Sequence, residues 1–430
     1  MKISVYGSGR EVGRSSILLT HNKRNLLLDA GIKVYKEALF ETGGAPQIPR
    51  GVKIDATIVS HAHLDHSGYF PAIQMMHECP IYMTPPTQAI ANVLTRDAKK
   101  VDPTLPYDIS DIEKAMRGCI LIPYGLEHTL AGGSDAMKFT LHDAGHIPGA
   151  AITEIKANKK KIVYTADFKF EETRLHNPAE QVEDVDVLVI ESTYGLKEHP
   201  DRKETENRMC KEMQKVFDKD GNVLFPAFAV GRTQELACIL YAHDVELPIF
   251  VDGMGALVSE TILGYPKYVK NYDMLREAIS NLNNVGRDKS IPLKQPSAII
   301  STAGMLEGGP ALTYITLMDR KKVDKEVEGA IFMSGYCLEE TNGWYLQNKQ
   351  IVYLKKMKQK KSKQFHVNLP VSLFHLSAHA GRTDLLNYIK GANPEKIICV
   401  HGDHCPEFAQ QLNEMGYDAT APENGTTIEI

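Results

Sequence analysis

Short apolar runs recur along the chain, separated by polar loops and amphipathic stretches. Residues 25–29 (NLLLD), 56–60 (ATIVS), 161–165 (KIVYT), 186–190 (DVLVI), 297–301 (SAIIS), 329–333 (GAIFM), 371–376 (VSLFHL) and 396–400 (KIICV) have strand length. Several of them do not alternate with polar residues, which predicts strands buried on both faces. Helical patterns occupy 204–217 (ETENRMCKEMQKVF) and 232–241 (RTQELACILY), and 66–78 (HSGYFPAIQMMHE) reads as a further helix. Strands interleaved with helices give an α/β class, with sheets covered by helices. No repeat of solenoid type is present. The apolar stretch Val223–Val230 contains a proline and is too short to span a bilayer. The opening MKISVYGSGREVG lacks the apolar core of a signal peptide. A soluble, cytoplasmic protein without membrane association is expected.

Composition narrows the class further. With 430 residues, at ~150 per domain, two to three domains are expected. Hydrophobic residues at 43% and charged residues at 24% exclude a disordered or fibrous chain. The net charge of −5 excludes a globally basic nucleic-acid binder but not a local basic groove. The seven cysteines are scattered and form no CxxC pair, which predicts reduced thiols filling the core. One segment is biased: Lys355–Lys363 (KKMKQKKSK) carries six lysines. A solvated surface loop is favoured there over a phosphate-attracting patch.

The candidate chemistry begins at residues 61–66, HAHLDH, directly after a predicted strand. Three imidazoles and a carboxylate in six residues are the donors of a catalytic zinc site. A lone histidine there is an ordinary polar loop residue; this density is not. Alternation puts His61 and His63 on one side of the turn, with Asp65 and His66 beyond, so the loop can face two adjacent ions. Four donors cannot complete two sites, so others are expected elsewhere. His146 in LHDAGHIPGA, Asp167 after KIVYTA and His401 after KIICV each follow a predicted strand, as His61 does. Strand ends in α/β sheets converge on sites. Taken singly, each of these is a plausible cap or turn residue, and His142 is read as structural for that reason. The joint pattern carries the inference.

These residues resemble the metallo-β-lactamase superfamily, with its HxHxDH motif followed by a later His, a later Asp and a final His. Glu191 in VIESTYG, PAFAVGRTQEL (Pro226–Leu236), STAGMLEGGP (Ser301–Pro310), His379 in LSAHAGRTD and His401 in VHGDH extend the likeness to the β-CASP branch, which contains nucleases. GREVGRSS looks most like the archaeal relatives of the cleavage-and-polyadenylation specificity factor nuclease; the KH domains that precede some of them are not expected here. The resemblance implies an αββα sandwich with an inserted α/β β-CASP domain. The expected parts are 1–195 and 372–430 for the lactamase domain and 196–371 for the insert, closing over the site as a cleft wall. It implies two Zn²⁺ per chain. His61, His63 and His146 would serve one ion, Asp65, His66 and His401 the other, and Asp167 would bridge them. Asp29 matches the motif whose aspartate braces the metal loop. His379 is implied to protonate the leaving group and Glu191 to orient it. A homodimer is also suggested.

The implied reaction is RNA phosphodiester hydrolysis by a hydroxide activated between two metals, leaving 5′-phosphate and 3′-hydroxyl ends. Endonucleolytic cleavage in RNA 3′-end processing or decay is the leading expectation. The alternatives are a ribonuclease J-like 5′-to-3′ exoribonuclease, a small-molecule metallo-hydrolase, and a catalytically dead RNA-binding subunit. DNA-directed members of the branch tend to carry Val at the last ligand, so His401 favours RNA over DNA. Where the family often shows GYQAxGTxGR, this chain has GYCLEETNGW (Gly335–Trp344), with Glu340 for a glycine and Trp344 for an arginine. Arg232, opening a helix after a glycine, is either a phosphate contact or part of a surface Arg–Glu pair. The glycine-rich segment with Ser301 and Gly304 offers backbone N–H groups to a phosphate.

Overall fold

The structure is a computed structural model and describes residues 1–33, 44–130, 136–325, 328–335, 337–355 and 362–430, with the side chains of 323–325, 355 and 362 left aside. The chain divides into two compact units. The first comprises Met1–Glu172, His176–Glu198 and Ala378–Ile430, and the second Thr173–Leu175 and His199–Ser377.

The first unit holds two seven-stranded sheets. One runs β22 (Thr427–Glu429), β1 (Lys2–Gly7), β2 (Ser16–His21), β3 (Arg24–Leu28), β4 (Ala56–Ile58), β5 (Ile81–Met83), β6 (Cys119–Leu121). The other runs β21 (Ala419–Thr420), β20 (Lys396–Val400), β11 (Val187–Glu191), β10 (Lys160–Tyr164), β9 (Ala151–Ala157), β8 (Lys138–Asp143), β7 (His128–Thr129). Their facing residues, among them Ile17, Leu19, Leu26, Leu28, Ile155, Ile162, Val189 and Ile398, form one continuous core. The alternate residues Leu18, Leu27, Val163, Leu188 and Ile397 are buried as well. Both faces of each sheet are therefore covered, which is why these strands read as unbroken apolar runs. This is the αββα sandwich.

The second unit is built on a six-stranded parallel sheet in the order β14 (Leu282–Asn284), β13 (Ile249–Asp252), β15 (Ser297–Ser301), β12 (Asn222–Pro226), β16 (Gly329–Met333), β19 (Val371–Leu373). A hairpin of β17 (Ile351–Lys355) and β18 (Ser362–His366) accompanies it. Parallel strands need crossovers, and the helices Arg232–Ala242 and Ala311–Lys325 lie in two of them. Six of the nine residues of the lysine run, 356–361, lie outside the described residues. All seven cysteines are free thiols. Among the described residues no helix is long and apolar enough to cross a membrane.

One local expectation is corrected. Residues 66–78 do not form a single helix: a one-turn helix, Leu64–Ser67, stops at Gly68, and a second begins at Phe70. Pro71 has no N–H with which to continue the first helix. A Cβ on Gly68 would lie 2.5 Å from the Ile32 side chain, so the chain passes too close there for any larger residue.

Candidate metal centre

The HAHLDH loop leaves β4 and is gripped by backbone. Ser15 N donates to Asp65 O at 2.7 Å, Ala30 N to His66 O at 2.9 Å and Ile32 N to Leu64 O at 2.9 Å. A Cβ on Gly31 would sit 1.7 Å from Asp65 O, so only glycine fits that approach. GREVGRSS forms the neighbouring wall, where Glu11 binds Arg14, Lys33 and Asn424. Asp29 ends β3 in the left-handed region at φ 61°, which aspartate tolerates better than most residues. Its buried carboxylate accepts from Ser60 N at 2.7 Å, Ser60 Oγ at 2.8 Å and Tyr164 Oη at 2.7 Å. It lies 2.7 Å from His66 Nδ1. A carboxylate accepts only, so His66 carries its proton on Nδ1 and turns Nε2 toward Asp167 Oδ1, 3.2 Å away.

The same reasoning fixes two other tautomers. His146 Nδ1 lies 2.8 Å from Ala378 O, an acceptor, so its Nε2 bears the lone pair. Ser60 Oγ gives its proton to Asp29, so it accepts from His61 Nδ1 at 3.1 Å, and His61 Nε2 also bears a lone pair. Both Nε2 atoms face His63 Nδ1, at 3.2 and 3.1 Å, and Asp167 Oδ2, at 3.6 and 3.7 Å. One proton cannot satisfy these converging acceptors; a cation can. The donor atoms of His61, His63, His146 and Asp167 lie within 4.8 Å of one another. So do those of Asp65, His66, Asp167 and His401. Asp167 belongs to both sets, and its buried Oδ1 has no hydrogen-bond partner. Buried polar atoms are rarely left so. The cluster is compatible with a metal site.

The electrostatics divide the two donor sets. Burial holds His61 and His146 well below the usual histidine range and lowers His63 too, so these rings are neutral, as ligands must be. For Asp65, burial acts upward, but the His401 hydrogen bond and the His66 charge prevail and lower it. For Asp167, burial is likewise overridden by His401, His66 and His379. In the second set burial is overcome: Asp167 and Asp29 raise His66, and Asp167 and Asp65 raise His401, so these two rings favour the charged form that a bound cation would displace.

His379 lies beside this cluster. Its Nδ1 is 3.1 and 3.2 Å from the two oxygens of Glu191, and its Nε2 is 4.0 Å from Asp167 Oδ2. Glu191 is fully buried and also accepts from Phe168 N at 3.2 Å and Thr193 N at 3.4 Å. Burial opposes the charge on His379, yet Glu191 and Asp167 push its pKa up to about 9.

The structure thus brings His61, His63, Asp65, His66, His146, Asp167, Glu191, His379 and His401 together, with Asp29 behind His66. Arg232, Ser301 and Gly304 lie in the second unit. Arg232 opens its helix after Gly231 at φ 77°. Glu235 is buried and bonds Arg174 N, Leu175 N and Arg202, and the Arg232 charge also acts on it. Ser301 is 1% exposed at the end of β15, and Gly304 packs against Phe228. Ser60, Tyr164, Thr193 and the Ala378 carbonyl went unnoticed in the sequence. Only Ser60 carried a signal, its place directly before HAHLDH.

Residues 17–189 match the profile of the metallo-β-lactamase superfamily domain. Residues 365–422 match that of the Zn-dependent metallo-hydrolase RNA specificity domain. RNase aCSPSF2 of Saccharolobus solfataricus is 32% identical over 100% of this chain and 85% of its own length. Probable RNase MJ4 of Methanocaldococcus jannaschii is 33% identical over 100% of both chains. Transcription termination factor FttA of the same organism is 33% identical over 96% of this chain and 69% of its own. A crystal structure of a protein of unknown function from Enterococcus faecalis superposes with a TM-score of 0.63 at 13% identity, covering 100% of this chain and 99% of that one, a likeness of fold alone. The chain belongs to the metallo-β-lactamase superfamily, in its β-CASP branch of metal-dependent hydrolases.

Proposed function

We propose that this chain is a zinc-dependent ribonuclease that cuts RNA internally and leaves 5′-phosphate and 3′-hydroxyl ends. The observation that carries the reading is the convergence of seven side chains into two donor sets sharing Asp167. His61, His63 and His146 would hold one Zn²⁺, Asp65, His66 and His401 a second, and Asp167 both. Zinc there supplies a nucleophile from water at neutral pH and Lewis-acid stabilisation of the phosphoryl oxygens. Two divalent ions outweigh the Asp65 and Asp167 charges, which suits an anionic phosphodiester. His379 gives its Nε2 proton to the departing 3′ oxygen, while Glu191 holds the ring through Nδ1. Arg232, with the backbone around Ser301 and Gly304, would contact phosphates. The names of the relatives, two RNases and a transcription termination factor, support RNA as the substrate class and action on transcripts.

The test combines metal analysis with end-labelled RNA. Two zinc ions per chain and internal fragments from both 5′- and 3′-labelled RNA are expected. Mononucleotides released only from a 5′-monophosphorylated end would favour the exonuclease alternative. His63→Ala and Asp65→Ala should stay folded and lose cleavage; wild-type activity in either sinks the site assignment.

A further inference from the structure

The helix Asn342–Lys349 and strand β17 carry a cluster of aromatic rings that the proposed chemistry does not use. Trp344 and Tyr345 on the helix meet edge to face, with centroids 5.2 Å apart. Tyr345 meets Tyr353 of β17 in the same way at 5.0 Å. All three rings are half-buried, and Lys349 is exposed. Lys349 Nζ stands 5.3 Å from the Trp344 ring centre and 5.2 Å from that of Tyr345. Trp344 occupies the position where the family pattern often has arginine.

The cluster is held rigidly. Asn342 is 4% exposed. Its side chain bonds Leu306 O at 3.1 Å, Tyr353 O at 3.1 Å and Tyr353 N at 2.6 Å. Gly343 N donates to Met305 O at 2.9 Å. A Cβ on Gly343 would sit 2.5 Å from Cys337 Sγ. The rings are therefore fixed beside the 302–310 loop of the same unit, which follows Ser301. Preset aromatic rings with a lysine over them are the equipment for binding unpaired nucleotides: every base has a face to stack, and Lys349 can meet the backbone.

We infer that Trp344, Tyr345 and Tyr353, with Lys349, form a stacking platform for unpaired bases of single-stranded RNA. The inference takes RNA as the ligand from the proposed function. An exposed lysine over a ring is held by only about 0.5–1 kcal/mol, so Lys349 can yield the ring face to a base and move to a phosphate. A duplex keeps its base faces covered and gains nothing from the rings.

Trp344 is the single tryptophan of the chain, so its fluorescence reports on the platform directly. The full chain is titrated with a short unstructured phosphorothioate oligoribonucleotide, and separately with the same sequence as a duplex. Saturable quenching by the single strand, much weaker with duplex, is expected. Trp344→Ala should weaken single-strand binding about 5- to 100-fold, and Trp344→Phe should recover most of it. No quenching, equal quenching by duplex, or unchanged affinity in a folded Trp344→Ala protein overturns the inference. The quenching of the unaltered chain decides the matter even where Trp344→Ala fails to fold. Quenching without RNA cleavage sinks the nuclease reading and leaves the platform; cleavage without quenching does the reverse.

Discussion

Glu191 offers both carboxylate oxygens to one nitrogen of His379, at 3.1 and 3.2 Å. The pairing forces the proton onto Nδ1 when the ring is neutral and leaves Nε2 as the atom that faces the cluster. His379→Ala should therefore bind zinc with normal stoichiometry and cleave RNA roughly 10²–10⁴-fold more slowly, the range for a lost general acid. Metal analysis and single-turnover rates on one preparation test this. Loss of zinc from that variant would make His379 a ligand instead of an acid.

Asp29 touches no reacting group, yet it fixes the tautomer of His66. Asp29→Asn keeps the size but puts an amide where His66 Nδ1–H, Ser60 and Tyr164 all need an acceptor. A partner of this kind behind a metal-binding histidine is worth about 10–100-fold in metal affinity. Competition of the variant with a zinc chelator should show that loss. Tyr164→Phe removes one of four contacts and should lose less. Unchanged affinity in Asp29→Asn would show that the backbone alone holds the loop.

Lys169 is 1% exposed, a rare state for a lysine. It pairs with Glu171 at 2.9 Å and Asp384 at 3.4 Å, linking the loop after Asp167 to the helix Arg382–Ala392 that follows His379. Lys169→Met fills the space and leaves two carboxylates unpaired. Both are partly solvated, so the loss should be about 1–3 kcal/mol, below that of breaking a fully buried pair. Urea unfolding measures it, and a neutral result would mean that solvent already screens the pair.

Much of this was legible in the sequence, for definable reasons. Sheets covered on both faces produce strands such as Val187–Glu191 that announce themselves as apolar runs. HAHLDH concentrates its donors in one loop, so spacing alone exposes it. His146, Asp167 and His401 are visible only as strand-end residues, because their convergence is tertiary. The turns that aim the side chains left little trace. Asp29, Ala166 and His401 adopt φ of 61°, 47° and 52°, with no glycine at any of the three to mark the turn. The groups that fix the rings are a serine, a backbone carbonyl and Thr193, whose Oγ1 lies 3.2 Å from His401 Nδ1, with a tyrosine behind Asp29, residue types that occur everywhere. The break near Gly68 is marked in the sequence only by Pro71, whereas the approach of Ile32, which leaves no room for a larger residue at 68, comes from more than thirty positions upstream.

His142 stands apart from the donor cluster, in an ion-pair group on the sheet of β8 and β9. Its Nε2 is 2.9 Å from Glu154 and its Nδ1 3.1 Å from Glu180. The hydrogen bond from His142 leads the causes that lower Glu154 to about 2, with burial opposing and Lys156 assisting. Burial disfavours charge on His142, but the two glutamates prevail and raise it. The signs then follow. Glu154 has a lower pKa folded than unfolded, so its contribution is present above its ordinary value near 4.5 and is lost as pH falls toward about 2. His142 has a higher pKa folded than unfolded, so its contribution is complete below its ordinary value near 6.5 and is lost as pH rises through the raised one. The stability difference between the natural chain and His142→Ala should therefore be largest between these two ordinary values and shrink on either side. Glu180 is half exposed, so water screens its share. A maximum difference of about 1 kcal/mol is expected. Urea unfolding from acid to mildly alkaline pH gives the profile. A difference that does not change with pH would mean that His142 contributes packing alone.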